Sequence, residues 1–342
     1  MPRSLMFIVL ALTGLFTSTT SAILASGNTH NVRVNGDIQA AIDGASNGDT
    51  IQLAAGQYNI ATTIDPGGKQ VTILGTVDAN GNPTSILDGG HTAGGTGGVQ
   101  VLACENGETS ETVFQNLVIQ NGYTYVGGGM SIGEDSSPTL TNCMFTNNTS
   151  SIGGGMIIGG GSPNLTDCTF MDNLAGTGGG MSIGGGSPTL TRCMFSANSA
   201  ESDKDQKSID GSGGGVTIIE STPMLTECTF MDNSANGSGG GMYILGSGSP
   251  ILNDCKFCGN IDGSGYSSIR GEAIDGSSSG NATLDARCVF GDFNFDGAVN
   301  LADRTSFNSL LGVCDADING DGEVNGADLA FVLGYWGLCS AP

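Results

Sequence analysis

The sequence predicts an all-β fold, a parallel β-helix (solenoid) in which successive coils of the chain stack on one another. Three observations support this prediction. A motif that opens with three glycines recurs five times, apolar residues within the motif alternate with a period of two, and its apolar stretches are too short and too rich in glycine for stable helices. One coil cannot bury its apolar face alone, whereas a stack of coils can.

The five repeats share one order of parts. A glycine triplet is followed by Met or Val, a second apolar residue two positions later, a polar turn, and a segment close to Pro-x-Leu-Thr-x-Cys-x-Phe-x-x-Asn. Leu140 and Cys143 are both apolar but three residues apart, so the chain must bend between them. We therefore expect three short strands in each repeat, paired in parallel with the next coil at ~4.8 Å. The triplets are Gly127–Gly129, Gly153–Gly155, Gly178–Gly180, Gly213–Gly215 and Gly239–Gly241.

Residues that recur in every repeat should form columns. Cysteine is small, apolar and commonly buried, which favours an inward column of thiols over a metal or redox site, while disulfides between neighbouring coils also fit the spacing of the coils. Asparagine suits the left-handed backbone of a sharp bend, and stacked amides can bond to one another. The 35-residue spacing between Cys193 and Cys228 contains one charged insertion, Glu201–Asp210, expected to be a surface loop. The columns are Cys143, Cys168, Cys193, Cys228 and Cys255, then Asn148, Asn173, Asn198, Asn233 and Asn260, and the phenylalanines Phe145, Phe170, Phe195 and Phe230.

The segment before the repeats completes the β-helix. Residues 37–45 read as a short amphipathic helix that covers the first coil and protects its open end. Gly48–Leu53 and Gln70–Gly75 read as strands, and Val113–Asn121 fits the repeat frame with Leu117 in the cysteine position. We assign residues 37–287 to the β-helix, which makes roughly nine or ten coils.

Two stretches resemble known families. Asp37–Tyr58, with its helix followed by Gly-Asp-Thr-Ile-x-Leu-x-x-Gly-x-Tyr, resembles the start of pectin-lyase-like right-handed parallel β-helices. The glycine triplets and the Phe-x-x-Asn ends are similar to the repeats of chlamydial polymorphic membrane proteins. The resemblance implies a right-handed β-helix and says little about function.

The first 22 residues predict export. A basic start, an apolar stretch from Leu5 to Phe16 and a cleavage site of small residues at Thr20–Ala22 are typical of a secretory signal peptide. The apolar stretch is too short to span a bilayer, and we expect no transmembrane segment. We therefore expect a signal peptide at 1–22, a linker at 23–36, and a secreted protein that is extracellular or lies at the cell surface.

The charge of the chain narrows its partners. Thirty-three acidic residues face ten basic ones, and the formal net charge is −23. This balance excludes the basic phosphate contacts on which most nucleic-acid binders depend, so we expect no nucleic-acid partner. The negative charge favours calcium as a binding partner and disfavours the binding of polyanions.

After Cys288 the sequence pattern changes to two calcium-type loops, 25 residues apart. Each loop has hard oxygen ligands at positions 1, 3 and 5, glycine at 6, a backbone carbonyl at 7, a polar residue at 9 and a carboxylate at 12. We therefore expect two Ca²⁺ ions. The proposed ligands are Asp292, Asn294, Asp296, Ala298 (through its carbonyl), Asn300 and Asp303 in the first loop, and Asp317, Asn319, Asp321, Glu323, Asn325 and Asp328 in the second.

Residues 288–342 thus form a small α-helical, paired EF-hand-like calcium module after the β-helix. Asp at position 12, the tandem loops and the C-terminal placement resemble a dockerin type I module, which implies attachment to a cohesin-like domain. The Ser-Thr or Lys-Arg recognition pairs of cellulosomal dockerins are absent after these loops, which puts that partner in doubt. A calcium-stabilised spacer is the alternative. We expect one disulfide among Cys288, Cys314 and Cys339, whose pairing stays open.

No catalytic constellation is evident in the repeats. Pectate lyases of the resembling fold use acidic calcium ligands with an Arg or Lys base, but the expected outward positions hold no acidic cluster and one base. His30 and His91 are expected to be isolated surface residues, and no carboxylate is expected beside Arg192 or Arg270. The outward positions are Ser131, Ile157, Ser182, Thr217 and Tyr243 after the triplets, and Met144, Thr169, Met194, Thr229 and Lys256 after the cysteines.

These observations favour a non-catalytic protein that binds extracellular polysaccharide or a cell-surface protein and is attached through the dockerin-like module. The alternative is a polysaccharide lyase that acts by β-elimination and is carried by the same module. A minor alternative is an ice-binding β-solenoid, because threonines flank the inward leucine of several repeats. That threonine row is broken at Met224 and Ile251.

Overall fold

A computed structural model of the chain describes residues 27–92, 95, 97–201, 211–263, 269–271 and 283–284. Within these residues the chain winds into a parallel β-helix with one short helix near its start. The expected signal peptide at 1–22 and the expected calcium module at 288–342 lie outside the described residues. In the part of the chain that is described, no helix is long and apolar enough to cross a membrane.

The β-helix begins with a strand and a helix. The strand β1 (Thr29–Val32) lies inside the segment expected to be a linker and pairs in parallel with the next strand of the stack. The helix α1 (Ile38–Gly44) confirms the predicted amphipathic helix, with Ile38 and Ile42 buried. The Asp37 carboxylate caps it by accepting a hydrogen bond from the Ala40 N–H at 2.9 Å.

A lysine from the next coil closes the other end of α1. The Nζ of Lys69 donates hydrogen bonds to the carbonyl oxygens of Ile42, Asp43 and Ala45 at 2.8, 2.7 and 3.0 Å. These carbonyls carry the partial negative charge of the helix C-terminus, which a cation stabilises. Near the N-terminus of the helix, Gln39 Nε2 donates to Asp65 O and Gln39 Oε1 accepts from the Asp65 N–H, both at 2.9 Å. The helix is therefore fixed on the first coils at both ends.

Thirty strands are described. The first coils contain β2 (Thr50–Leu53), β3 (Gly56–Asn59), β4 (Thr72–Leu74), β5 (Ser85–Asp88), β6 (Leu102–Cys104), β7 (Val113–Gln115), β8 (Leu117–Gln120) and β9 (Tyr123–Val126). The middle coils contain β10 (Met130–Ile132), β11 (Thr139–Thr141), β12 (Met144–Thr146), β13 (Thr149–Ile152), β14 (Met156–Ile158), β15 (Asn164–Thr166), β16 (Thr169–Met171), β17 (Leu174–Thr177), β18 (Met181–Gly184), β19 (Thr189–Thr191), β20 (Met194–Ser196) and β21 (Ser199–Ala200). The last coils contain β22 (Val216–Ile219), β23 (Met224–Thr226), β24 (Thr229–Met231), β25 (Ser234–Ala235), β26 (Met242–Leu245), β27 (Ile251–Asn253), β28 (Lys256–Cys258), β29 (Ile269–Gly271) and β30 (Thr283–Leu284).

These strands stack into four parallel sheets, one more than the sequence predicted. Sheet A runs β1-β2-β4-β7-β11-β15-β19-β23-β27, and sheet B runs β3-β5-β8-β12-β16-β20-β24-β28-β30. Sheet C runs β6-β10-β14-β18-β22-β26-β29, and sheet D runs β9-β13-β17-β21-β25. The expectation of three strands in each repeat was wrong, because sheet D turns small residues inward, which give no apolar signal. Its buried residues are Ser150, Ala175, Thr177, Ala200 and Ala235.

The predicted columns are confirmed by the register. Phe145 pairs with Phe170, and the pairing continues through Phe195, Phe230 and Phe257. The ring centroids of neighbouring coils lie 4.4–4.9 Å apart, and their planes differ by at most 7°. All five rings are essentially inaccessible to solvent, so the stack forms the centre of the core.

The cysteine column is buried as expected and consists of free thiols. Each thiol of this column lies near the carbonyl oxygen two residues before it, as Cys143 Sγ does at 3.5 Å from Thr141 O. Hydrogen bonding with Cys193, together with burial, raises the pKa of the Cys228 thiol to about 12. The Cys228 thiol therefore stays protonated, and neighbouring coils are not joined by disulfides at these positions. Cys258 is disulfide-bonded, whereas the clasp expected among Cys288, Cys314 and Cys339 lies outside the described residues.

The asparagine column forms a buried amide ladder. The Nδ2 of Asn148 donates to Oδ1 of Asn173 at 3.0 Å, and the backbone N–H of Asn148 donates to the same oxygen. The left-handed backbone lies one residue earlier, at positions such as Asn147 and Asp172. The expectation that the column itself makes the bend was wrong. Asparagine is needed there because its amide bonds both the next coil and the backbone.

Candidate functional site

The outer face of sheet B changes in character along the β-helix. Inward residues such as Tyr58 and Phe145 are buried, so the residues on either side of them point outward. In the first coils the outward positions are amides, a carboxylate and two aliphatic residues. In the next four coils they are methionine with threonine or serine. In coil order they are Gln57 and Asn59, Ile86 and Asp88, Val118 and Gln120, Met144 and Thr146, Thr169 and Met171, Met194 and Ser196, Thr229 and Met231, and Lys256 and Cys258.

A carboxylate organises the amides of the first coils. Asp88 Oδ2 accepts hydrogen bonds from Gln57 Nε2 at 2.9 Å, Gln120 Nε2 at 2.8 Å and Asn121 Nδ2 at 3.1 Å. Gln57 Nε2 also donates to Asn59 Oδ1 at 3.0 Å. Asp88 is 8% exposed, whereas Gln57 and Asn59 are open to solvent. We call these five residues the amide patch. Its side chains are held in fixed orientations before any ligand arrives.

An aromatic pair adjoins the amide patch. The rings of His91 and Tyr123 stack with centroids 4.4 Å apart and planes 13° from parallel. The backbone N–H of His91 donates to Asn121 O at 2.8 Å, which ties the pair to the patch. The Nδ1 of His91 lies 2.8 Å from Gly97 O, and because a carbonyl can only accept, Nδ1 carries the proton. His91 is 9% exposed, so the expectation of an isolated surface histidine was wrong.

Two further features extend this region. Tyr125 lies two residues after Tyr123 on the same strand, points to the same side and is 61% exposed. On the other side, a cavity of about 310 Å³ opens beside the N-terminus of α1 and shares Asn59 with the amide patch. Its polar lining includes Asn35, Asp37 and Gln39. The amide patch, the aromatic pair, Tyr125 and this cavity together form a polar and aromatic surface over the first coils.

The other histidine has a structural role. His30 Nε2 lies 2.9 Å from Asp49 Oδ2, so His30 is not isolated either. Hydrogen bonds from His30, and then from the N–H groups of Ser46 and Asn28, lower the pKa of the Asp49 carboxyl to about 2. The ionised carboxylate links β1 to the start of β2.

The structure gives Arg192 a partner that the sequence did not predict. Its Nε and Nη2 donate to the two carboxylate oxygens of Asp167 at 2.7 and 2.9 Å. The expectation of no carboxylate beside Arg192 was wrong, because Asp167 occupies the same corner position one coil earlier. The Asp167 carboxylate raises the pKa of the guanidinium, so Arg192 stays protonated and is unsuited to act as a base. The side chain of Arg270 lies outside the described part of the chain.

Three of the five positions after the glycine triplets are buried. Ser131, Ser182 and Thr217 are 1–3% exposed, so the expectation that they point to solvent was wrong. The other two expected positions, Ile157 and Tyr243, are partly exposed. The first glycine of each triplet has φ of 63–71°, and this left-handed turn brings the backbone close to the residues that follow the triplet. A Cβ at Gly178 would lie 3.0 Å from the Cβ of Ser182. The close approach explains the glycine at this position and the burial of Ser182.

Sequence reasoning and structure therefore point to different residues. The twelve predicted calcium ligands all lie in residues 288–342, outside the described residues, and remain a prediction. Among the residues that are described, no three of His, Cys, Asp and Glu gather in a way that could hold a metal ion. The amide patch was missed because Gln57, Asp88 and Gln120 are about 30 residues apart and share no motif.

Comparison with known proteins identifies the fold. No curated protein matches the chain. The crystal structure of the pectate lyase Pel9A is similar, with a TM-score of 0.46 and 15% sequence identity over 72% of this chain and 68% of that chain. The family model described as "Right handed beta helix region" matches residues 82–257, in agreement with the expected handedness. The chain belongs to this family of right-handed β-helix proteins.

Proposed function

We propose that the protein is a non-catalytic binder of extracellular polysaccharide and that the amide patch, with Tyr123 and Tyr125 beside it, contacts the sugar. The observation that carries this proposal is the convergence of three amides on Asp88 next to a stacked aromatic pair. Sugars offer hydroxyl groups, which amides and carboxylates bind, and apolar C–H faces, which aromatic rings cover.

The layout suits an extended chain rather than one small ligand. The cavity at Asn59, the amide patch and the exposed ring of Tyr125 follow one another over neighbouring coils. A polysaccharide could contact all three along its length. The net charge of −23 repels polyanions, so we expect a neutral glycan.

The test is the affinity of the full chain for soluble neutral glycans, such as β-glucan and xylan, measured by affinity electrophoresis or calorimetry. Tyr125→Ala should weaken binding about tenfold, because the ring is exposed and contributes to sugar contact rather than to the core. Leu245→Ala, which removes an exposed apolar side chain on sheet C, is the matched control and should bind like the parent. Equal binding by the Tyr125→Ala variant would contradict the proposed contact.

The alternative function, a polysaccharide lyase, makes a different prediction. A lyase needs a base beside acidic calcium ligands, and Arg192 is held protonated by Asp167. We therefore expect no unsaturated product when the full chain is incubated with polygalacturonate or alginate and Ca²⁺. Ultraviolet-absorbing product that disappears in Lys256→Ala or Arg270→Ala would instead establish a lyase.

We further propose that the protein is exported, with its signal peptide at 1–22, and attached through a dockerin-like module at 288–342. A cohesin-like domain is the proposed partner, and two Ca²⁺ ions are the proposed cofactors. The regular ligand spacing of the two loops supports this proposal. Calorimetry of the full chain should detect two calcium sites, with Asp296→Ala and Asp321→Ala each removing one. A chain that releases no calcium-dependent heat would contradict the module.

A further inference from the structure

We infer that four methionines on the outer face of sheet B form a binding site for a soft monovalent cation such as Cu⁺ or Ag⁺. The four residues, which we call the methionine strip, are Met144, Met171, Met194 and Met231. They occupy four successive coils directly after the amide patch on the same face. Thioether sulfur is a soft ligand and prefers Cu⁺ to the hard cations that carboxylates bind.

The register places the four methionines in a zigzag. Met144 lies opposite Thr169, and Met171 lies opposite Thr146 on the neighbouring strand. The alternation then repeats, so that each methionine has the next one as its diagonal neighbour. With neighbouring strands ~4.8 Å apart and a rise of ~3.3 Å per residue, diagonal positions lie on the order of 8 Å apart. A methionine side chain is long, unbranched and flexible, so two diagonal sulfur atoms can converge on one ion.

The core does not require these methionines. The interior of the β-helix already uses Met130, Met156, Met181 and Met242, which are fully buried in one inward column of sheet C. In the methionine strip, by contrast, Met194 is 36% exposed and the other three are partly exposed. Threonine or serine fills the remaining outward positions of the same strands.

Acidic residues border both sides of the methionine strip. Asp172 and Asp232 directly follow Met171 and Met231, and Glu227 lies two residues before Thr229 on the other side. Asp167 lies on that same side and is neutralised by Arg192. Lys256 is an outward cation in the coil after Met231, opposite Thr229. The remaining carboxylates outnumber it, and with the net charge of −23 they raise the local concentration of cations. The charges therefore attract a cation, and the sulfur atoms select a soft one.

Methyl NMR of the full chain, labelled with ¹³C at the methionine methyl groups, tests the site directly. The methyl signals of Met144, Met171, Met194 and Met231 should already shift when less than one equivalent of Ag⁺ per protein has been added. The buried Met130 and the exposed Met224 should not shift, since Met224 lies on sheet A opposite Thr189 and Ile251 and has no methionine diagonal to it. Unchanged signals from the methionine strip would overturn the inference.

Substitution by leucine, which has a similar volume, gives the second measurement. Cu⁺ affinity is measured by competition with bathocuproine disulfonate after accessible thiols have been alkylated with iodoacetamide, because a free thiol binds Cu⁺ more tightly than a thioether. Met171→Leu removes a residue with two diagonal partners and should weaken Cu⁺ binding at least tenfold. Met224→Leu is the matched control and should leave it unchanged. Parent-like Cu⁺ affinity in a variant with all four residues of the strip changed to leucine would refute the site.

Discussion

Single residues at the two corners beside sheet B hold the left-handed backbone that lets each coil turn. Several of these residues are Asn or Asp, which tolerate this conformation, but Arg192, Glu227 and Ala197 occupy equivalent positions. No residue type therefore marks the corner, and the sequence suggested the neighbouring asparagine column instead. The corner between sheets A and B holds Asn116, Asn142, Asp167, Arg192, Glu227 and Asp254, and the corner between sheets B and D holds Asn121, Asn147, Asp172, Ala197, Asp232 and Gly259.

Ala197 is the least suited of these corner residues. Its φ is 53°, and its side chain offers no hydrogen bond to offset the strain. Replacing it with glycine, as found at Gly259, should raise the free energy of unfolding by about 0.5–1 kcal/mol, because relief of strain exceeds the added entropy of the unfolded chain. Urea denaturation measures the change. Ser196→Gly, in the adjoining strand, should lower stability instead, and a destabilised Ala197→Gly variant would contradict this account.

At the scale of elements, each coil is fixed to the next by columns of identical residues. The sequence predicted the phenylalanine, cysteine and asparagine columns, because their spacing is regular and their chemistry distinctive. It did not predict sheet D, since Ser150, Ala175 and Ala200 bury too little apolar surface to show a period of two. A strand built on small inward residues is set by its neighbours in the stack rather than by its own sequence.

The amide ladder should show the largest effect of a single polar substitution. Asn198 accepts hydrogen bonds from the backbone N–H and Nδ2 of Asn173, and its Nδ2 donates to Phe170 O at 2.9 Å. Asn198→Ala leaves these buried groups without partners and should lower the free energy of unfolding by about 3 kcal/mol. Asn164→Ala, at an exposed position of sheet A, is the control and should have little effect. Similar losses in the two variants, measured by guanidinium denaturation, would argue against the ladder.

At the scale of the whole molecule, contacts connect mainly neighbouring coils, so the β-helix behaves as a linear array. The repeat spacing predicted this architecture and its register between residues 127 and 260. The amide patch lies earlier, where the coils have different lengths and no repeated residue fixes the register. The contact between Gln57 and Asp88 therefore could not be predicted from the sequence. It is seen only once the pairing of β3 with β5 is known.

Removal of one complete repeat tests this architecture. Deleting residues 168–192 joins Asp167 to Cys193 and removes the 25 residues that separate two equivalent cysteines. Sheet register is preserved, so the variant should keep its β-sheet circular dichroism and unfold cooperatively. Deleting residues 168–191 leaves one extra residue at the corner, and that variant should be less stable than the first. The added residue either distorts the corner or shifts the next strand so that its side chains change sides. Equal stability of the two deletions would contradict the register.

The outward methionines of sheet B change rows at each coil. This alternation determines how many repeats can be duplicated together without disturbing the methionine pattern. Met171 and Met194 stand in different rows because their repeats differ in the order of methionine and the small polar residue. Tandem duplication of one repeat would place two methionines side by side in a single row. Duplication of two adjacent repeats would continue the zigzag unbroken. The unit that can be copied without loss of pattern is therefore the pair of repeats, about 50 residues long, rather than the single coil.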